Sequence, residues 1–354
     1  MIDRHLSLAG PVLLALIGTL SCQDSSGRQL SREGYVHAPS QEAIAWVDSD
    51  RLLFFHLDDW MAGPDAIQPS CDSSGVYQLA STGERRPIRI GEQICEVRDA
   101  SGADVSSDGR YLIYSEDGRL HRLDLQSGRQ VTLTDSGVRL AQLPSWSPAD
   151  QRIAFVARSS HSDSAGRPTL YLVNPDGTGL RQVRPLGERY IETSPSWSPD
   201  SRSLVIGVYP NGGRRPETVA EIVVLDTLGQ SWRVVGAGHE PSWSPTGQWI
   251  AYLSFSRAGD DTSNTWTSSI QLMKPDGTGR RELDTTTTEQ TAFGRFRDRT
   301  LNGSPFGRLV WSRDGARLAF RRIFGGRSTM WAIEVDGTGL TQLSPGDAAS
   351  PPGR

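Results

Sequence analysis

The chain has 354 residues, and its 37 lysines and arginines nearly balance its 41 aspartates and glutamates, for a formal net charge of −4. Because both signs of charge are interspersed, the chain lacks the basic footprint of a nucleic-acid-binding protein. Its length allows one folded body to bury about three quarters of the surface that the unfolded chain exposes.

The first residues have the pattern of an export signal. Arg4 and His5 precede an apolar run from Pro11 to Leu20, which is too short to serve as a membrane span. No later apolar run is long enough to cross a bilayer. We therefore predict a signal peptide over residues 1–21.

The stretch "TLSC", which ends at Cys22, resembles the lipobox of bacterial lipoproteins, in which the chain is cut before the cysteine and lipids are attached to it. The resemblance implies a lipid on Cys22, membrane contact through that anchor only, and a flexible tether over residues 22–41. Gln23 follows the cysteine, and in enteric bacteria this choice favours the outer membrane. The expected location is the periplasmic side of the cell envelope; ordinary secretion is the alternative.

From residue 42 onward the chain repeats one unit. Four clear copies, "LPSWSPADQRIAFVAR", "SPSWSPDSRSLVIGVY", "EPSWSPTGQWIAYLSF" and "RLVWSRDGARLAFRR", and two weaker ones begin at Leu143, Ser194, Glu240, Arg308, Glu42 and Gly102. A period of roughly 40 to 50 residues with strand-like content is typical of a β-propeller blade. Within each unit, alternating apolar residues and enrichment in β-branched and aromatic residues indicate four strands.

The repeat predicts an all-β fold, a six-bladed β-propeller of four-stranded antiparallel blades over residues 42–345. The alternative is seven blades, with a degenerate blade hidden in residues 284–307. We predict residues 346–354 as a disordered tail.

Two cysteines, Cys71 and Cys95, lie in the first repeat. In an oxidising compartment they could form a disulfide, which would be worth on the order of 3 kcal/mol. Two unpaired, partly buried thiols are the alternative.

The tetrapeptide Asp-Gly-Thr-Gly occurs three times, beginning at Asp176, Asp276 and Asp336. A phosphate-binding loop leads into a helix, whereas each copy here precedes a short strand. Aspartate can bond its own downstream backbone and glycine accepts a positive φ, so we interpret the copies as strand-joining turns. We likewise interpret the repeated tryptophan as packing between neighbouring blades.

These units resemble the propeller repeats of TolB-like proteins, which also occur in the non-catalytic propeller of prolyl oligopeptidases. The resemblance covers about Glu42 to Pro345 and is more specific for fold than for function. Val105, Ser201 and Thr246 replace the tryptophan, glycine and aspartate of the repeat in single copies. We expect the propeller part alone, without the additional α/β domain or the Tol partners that the family implies.

The long insertions are predicted to share one face, because loops between second and third strands and connections between blades open to the same side of a propeller. These insertions are residues 58–75, 159–168, 209–220, 256–268 and 284–307. Binding loops of repeat proteins usually share a face, and aromatic and arginine side chains are common in binding hot spots. The candidate binding residues are Trp60, Arg214, Arg215, Trp266, Phe293, Arg295, Phe296 and Arg297. The alternative is that these loops only cover the channel or are disordered.

Four residues near the starts of first strands, Glu192, His239, Glu240 and Arg308, are expected at the mouth of the central channel. The chain has neither a Gly-x-Ser-x-Gly nor a His-Glu-x-x-His motif, and its histidines lack ligand spacing. We therefore expect a monomeric binding module without enzyme activity, cofactor or metal, whose partner is an envelope protein or a cell-wall component. The alternative is a carbohydrate lyase or hydrolase that uses His239 and Glu240.

Overall fold

The computed structural model describes residues 40–46, 51–57, 75–80, 85–87, 102–134, 137–159, 168–183, 186–187, 189–191, 193–210, 220–258, 265–289, 308–324 and 327–343. The predicted signal peptide, Cys22, both remaining cysteines and the predicted tail lie outside these residues. Within them, no helix has the length and apolar character that a membrane crossing requires.

The described strands form six antiparallel sheets, numbered here in chain order. Sheet 1 contains β1 (Ser40–Trp46), β2 (Arg51–Leu57), β3 (Gly75–Ala80) and β4 (Arg85–Pro87). Sheet 2 contains β5 (Ala103–Val105), β6 (Tyr111–Glu116), β7 (Arg119–Asp124) and β8 (Gln130–Thr132). Sheet 3 contains β9 (Val138–Trp146), β10 (Ile153–Ser159), β11 (Thr169–Val173) and β12 (Arg181–Gln182).

The remaining strands make up the second half of the chain. Sheet 4 contains β13 (Tyr190–Ile191), β14 (Ser196–Trp197), β15 (Ser203–Tyr209), β16 (Glu221–Asp226) and β17 (Trp232–Ala237). Sheet 5 contains β18 (His239–Trp243), β19 (Ile250–Ala258), β20 (Thr265–Met273) and β21 (Arg281–Glu289). Sheet 6 contains β22 (Val310–Trp311), β23 (Arg317–Phe324), β24 (Arg327–Glu334) and β25 (Thr341–Gln342).

Five of these six sheets have four strands joined in sequence order, and sheet 4 is the exception because its first strand is divided. Both pieces, β13 and β14, pair with β15. Pro195 lies between them and has no N–H to donate to the ladder. The amide of Gly207 in β15 donates instead to Thr193 Oγ1 at 2.7 Å. The all-β class and the four-stranded antiparallel unit are confirmed, and the described residues form no seventh sheet.

The first strands of successive sheets contact one another in a closed series. β1 contacts β5, β5 contacts β9, β9 contacts β14, β14 contacts β18, β18 contacts β22, and β22 contacts β1. Three of the repeated tryptophans join neighbouring sheets, because each indole N–H donates to a carbonyl in the sheet before it. These bonds are Trp197 to Ser145, Trp311 to Ser242 and Trp46 to Val310. The tryptophans therefore pack between sheets, as the repeat predicted.

The turns between third and fourth strands, called outer turns below, carry the Asp-Gly-Thr-Gly sequences. In each, an aspartate Oδ1 accepts from the threonine amide two residues later, at 2.9, 2.9 and 2.8 Å. The pairs are Asp176 with Thr178, Asp276 with Thr278 and Asp336 with Thr338. The glycine that follows each aspartate has a positive φ, between +86° and +90°. The interpretation of these sequences as turns is confirmed.

A series of arginines, which the sequence analysis missed, also links the sheets. From sheet 2 to sheet 5, each sheet sends one guanidinium to a backbone carbonyl in the outer turn of the next sheet. The bonds run from Arg122 to Pro175 at 2.7 Å, Arg181 to Thr227 at 2.5 Å, Arg233 to Pro275 at 3.1 Å and Arg281 to Val335 at 2.6 Å.

Sheet 5 is longer than the sequence indicated. The pairing of β19 with β20 extends to Ala258 and Thr265, and the pairing of β20 with β21 extends to Thr265 and Glu289. Residues 256–258, 265–268 and 284–289, which were predicted as loop, therefore belong to strands. The threonine-rich end of β21 has high strand propensity, but it shows no alternation of apolar and polar residues that would have predicted a strand.

Candidate functional site around His239

The structure describes three of the predicted site residues with their side chains: His239, Glu240 and Arg308. Trp266 has its backbone in β20, paired with Arg257 and Thr288, although a loop position was predicted. The other predicted site residues lie outside the described residues; they are Trp60, Glu192, Arg214, Arg215, Phe293, Arg295, Phe296 and Arg297.

His239 and Glu240 begin β18, next to two aromatic residues that the sequence analysis did not identify. The hydroxyl of Tyr209, at the end of β15, lies 3.3 Å from His239 Nδ1. The imidazole ring also packs against Phe255 of β19, with ring centroids 4.9 Å apart. Two sheets thus contribute side chains to one cluster, called the His239 cluster below: Tyr209, His239, Glu240 and Phe255.

The electrostatics of the His239 cluster favour a protonated phenol. Burial, together with the negative charge of Glu240, raises the pKa of Tyr209 to about 12. The phenol therefore keeps its proton at physiological pH and can donate it to Nδ1 of His239. A neutral imidazole that accepts at Nδ1 carries its own proton on Nε2.

The backbone of β18 is irregular at this cluster. Glu240 has a φ of +47°, and Leu143, at the same position of the "x-Pro-Ser-Trp" repeat in sheet 3, has a φ of +55°. The pairing of β18 with β19 shifts register between His239 and Ser242. A bulge of this kind changes the direction in which neighbouring side chains project. The positive φ and the register shift together set the direction in which the start of β18 projects.

Arg308 reaches from sheet 6 to sheet 2. Its Nη1 donates to the carbonyl of Ala103 at 2.7 Å, and its Nη2 lies 4.0 Å from Asp104 Oδ2. Asp104 also accepts from the amides of Val105 at 2.9 Å and Trp146 at 2.8 Å. Burial raises the pKa of the Asp104 carboxyl, although Arg308 and these amides act in the opposite direction.

A signal for Asp104 was present in the sequence. It occupies the repeat position that holds serine in three other copies, Ser145, Ser196 and Ser242. A carboxylate at a position that holds a small hydroxyl in three copies indicates a local role. In the structure that role is to hold sheets 2, 3 and 6 together.

The chemistry that the His239 cluster offers is hydrogen bonding and aromatic contact. Among the residues that the structure describes, no group of three or more histidine, cysteine, aspartate and glutamate side chains could hold a metal ion. Arg308 is engaged with sheet 2.

Comparison with known proteins gives the same architecture. No protein-family model matches the chain. The Tol-Pal system protein TolB of Anaeromyxobacter dehalogenans strain 2CP-C is 28% identical over 205 residues, which cover 53% of this chain and 44% of that protein. TolB of Anaeromyxobacter sp. strain K matches to the same extent. The chain thus spans less than half the length of these curated relatives.

Solved structures extend the likeness over most of the chain. A putative TolB from Agrobacterium tumefaciens has a TM-score of 0.56 at 18% identity and covers 88% of this chain and 89% of its own. TolB from Acinetobacter baumannii has a TM-score of 0.55 at 12% identity, with coverages of 87% and 79%. An oligogalacturonate lyase in complex with manganese has a TM-score of 0.52 at 13% identity, with coverages of 93% and 84%. At these identities the structural likeness shows the fold alone. With the sequence match, the repeat and the six antiparallel sheets, it identifies the chain as a TolB-like β-propeller protein.

Proposed function

We propose that the chain is a non-catalytic interaction module of the bacterial periplasm, in which one face of a six-bladed propeller binds a protein or cell-wall partner. The proposal includes a lipid on Cys22 that holds the module at the membrane. The sequence match to Tol-Pal system proteins supports a role in the envelope.

The observation that carries the proposal is the difference between the two ends of the sheets. At one end, the described turns between first and second strands and the outer turns are short and closed by their own hydrogen bonds. The long segments follow Leu57, Ser159, Tyr209 and Glu289, all at the other end, where second and fourth strands finish. Variation in loop length is thus concentrated on one side, as in repeat proteins that bind through one face.

The closed series of contacts between first strands supports six blades in one ring. A ring gives the long segments a common platform, because second strands of all blades run in the same direction. The His239 cluster would lie on this side, where β18 begins and β15 ends. It would supply hydrogen bonds and aromatic surface near the middle of the binding face.

The test is site-specific photo-crosslinking in intact cells. A photo-reactive residue at Phe293 should capture an envelope component, and a photo-reactive residue at Leu340 in the outer turn of sheet 6 should not. Leu340 is a matched control because it is 39% exposed on the opposite side. Deleting residues 293–306 should abolish capture from other positions of the face, such as Arg214, while the thermal unfolding midpoint stays close to that of the wild type.

Two results would contradict the proposal. One is capture of the same component from Leu340 as from Phe293, and the other is undiminished capture after the deletion. The tether is tested in the same cells, because Cys22→Ala should abolish metabolic labelling with palmitate. A variant that still incorporates palmitate would exclude lipid attachment at Cys22.

A further inference from the structure

The turns between first and second strands, called inner turns below, contact one another in series. In sheets 2 to 6 they are residues 106–110, 147–152, 198–202, 244–249 and 312–316. The amide of Ser107 donates to Asp150 Oδ1 at 2.9 Å, which joins sheet 2 to sheet 3. The amide of Ala149 donates to Ser201 Oγ at 3.2 Å, which joins sheet 3 to sheet 4. Hydrogen bonds therefore connect the first three of these turns.

The remaining inner turns continue the series by close packing. A Cβ atom on Gly247 of sheet 5 would lie 3.4 Å from Pro199 of sheet 4. A Cβ atom on Gly315 of sheet 6 would lie 2.8 Å from Thr246 of sheet 5. The five inner turns are thus in contact from sheet 2 to sheet 6.

The series closes from sheet 6 directly to sheet 2. Nη2 of Arg313, in the inner turn of sheet 6, donates to the carbonyl of Ser107 in the inner turn of sheet 2. At the other end of the first strands, Nη1 of Arg308 donates to the carbonyl of Ala103 at 2.7 Å. Sheets 6 and 2 are therefore bonded at both ends of their first strands, although β1 lies between β22 and β5 in the series of strand contacts.

The described contacts of sheet 1 are mostly with sheet 6. β1 contacts β22, β23 and β24 of sheet 6, and it contacts β5 of sheet 2. Trp46 and Leu52 pack in one cluster with buried residues of sheet 6. The indole N–H of Trp46 donates to the carbonyl of Val310 at 3.3 Å, the longest of the three tryptophan bonds. Sheet 2 has Val105 at its tryptophan position, so it has no indole that could donate to sheet 1.

This arrangement separates the closure of the ring from the position of sheet 1. The bonds of Arg308 and Arg313 can persist when sheet 1 moves away, because neither bond involves a residue of sheet 1. The cost of the movement is then limited to the contacts of sheet 1 itself. Proteins open locally in cooperative units, and each unit has its own free energy of opening.

We propose that sheet 1 opens as a unit, while sheets 2 to 6 stay closed through the bonds of Arg308 and Arg313. The consequence of this opening rests on the proposed lipid anchor at Cys22, because sheet 1 is the first sheet after that anchor in the chain. Opening releases roughly 60 residues between the tether and β5, and an extended chain spans about 3.3–3.6 Å per residue. The connection to the membrane would lengthen by up to about 200 Å.

Native-state hydrogen exchange on the whole exported protein, measured by mass spectrometry, tests the proposal. The measurement does not involve the lipid, so it can be interpreted even if the test of the anchor fails. Two buried leucines provide a matched pair, because Leu52 and Leu204 each pair with the repeated tryptophan of their sheet, Trp46 and Trp197. Either leucine changed to alanine removes a buried side chain of the same size.

Leu204→Ala should speed exchange in β10, β15 and β19 by about 30-fold or more. It should leave exchange in β2 and β3 unchanged, because sheet 4 stays folded when sheet 1 opens. Leu52→Ala should speed exchange in all of these strands, because sheet 1 is open both in the partial opening and in global unfolding. Acceleration of β2 and β3 by Leu204→Ala to the same extent as β15 would overturn the proposal, since sheet 1 would then open only with the whole protein.

Removing the two arginine bonds tests their role. In the double variant Arg308→Met/Arg313→Met, β10, β15 and β19 should exchange about tenfold faster or more, because hydrogen bonds from charged groups are lost. Exchange in β2 and β3 should keep its wild-type rate, because the bonds are present both before and after sheet 1 opens. Faster exchange in β2 and β3, or unchanged exchange in the other three strands, would also overturn the proposal.

Discussion

Three glycines lie where the outer turns approach the preceding sheet. Gly177, Gly277 and Gly337 follow the aspartates of the outer turns, with φ of +86°, +88° and +90°. A Cβ atom would lie 3.2 Å from Leu133 O at the first, 2.3 Å from Val235 O at the second and 3.8 Å from Leu283 O at the third. The backbone conformation is the same in all three, but the space left by the preceding sheet is not.

Alanine at these positions therefore separates backbone strain from steric conflict. Gly337→Ala should lower the free energy of unfolding by about 1–2 kcal/mol, the cost of a left-handed conformation for a residue with a Cβ. Gly277→Ala should lower it by a further 1–3 kcal/mol or so, because the outer turn must move away from β17. Urea denaturation of the two variants measures the difference. Equal losses would show that the close approach to Val235 has no energetic consequence.

At the scale of the strand, the repeat predicted most of what forms. Alternating apolar residues identified the second and third strands, whose residues Ile153, Leu204 and Ile250 are fully buried. The extension of sheet 5 was not predictable, because Thr285–Glu289 is polar at every position and gains its strand conformation from pairing with β20. The break in the first strand of sheet 4 also depends on another strand, because the amide of Gly207 in β15 donates a hydrogen bond to Thr193 there.

That bond gives a prediction for the divided strand. Thr193 is buried. Among the described residues, its hydroxyl is the group that accepts the hydrogen bond from the Gly207 amide at this break. Thr193→Val keeps the shape but leaves a buried N–H without a partner, which costs about 1–3 kcal/mol. Thr193→Ser keeps the hydroxyl and is the matched control. We expect the valine variant to be the less stable in urea and its Gly207 amide to exchange faster. A valine variant as stable as the serine variant would exclude this role of the hydroxyl.

At the scale of the whole molecule, contacts between sheets decide how the units assemble, and these contacts were largely invisible in the sequence. Asp104 bonds to Trp146 of sheet 3 and lies 4.0 Å from Arg308 of sheet 6. Asp104 and Arg308 are far apart in the chain, so no local sequence pattern connects them. Only half of the His239 cluster was predicted, for the same reason. His239 and Glu240 stand at the start of a repeat, whereas the sequence gives Tyr209 and Phe255 the pattern of ordinary strand residues.

The position of Asp104 also predicts a dependence of stability on pH. Its pKa in the folded protein is raised above the ordinary value of 3.8 by burial, so the folded state holds this proton more tightly than the unfolded state. The contribution of Asp104 to stability is therefore greatest below the unfolded pKa and is lost as pH rises through the folded pKa. The stability of the wild type relative to Asp104→Asn should rise as pH falls from 7 towards 4. Urea denaturation at a series of pH values measures this difference, and a pH-independent difference would contradict it.

The four arginine contacts between sheets all run in the same direction, from one sheet to the next in chain order. Each sheet from 3 to 5 offers a carbonyl to the sheet before it and a guanidinium to the sheet after it. Such head-to-tail contacts join unlike surfaces, so reversing the orientation of one sheet would bring donors to donors. In sheet 6 the corresponding residue of the fourth strand is Thr341, whose hydroxyl donates to Gly339 within its own turn. The boundary between the last sheet and the first is instead joined by Trp46, so duplication or loss of an internal unit would leave that junction chemically intact.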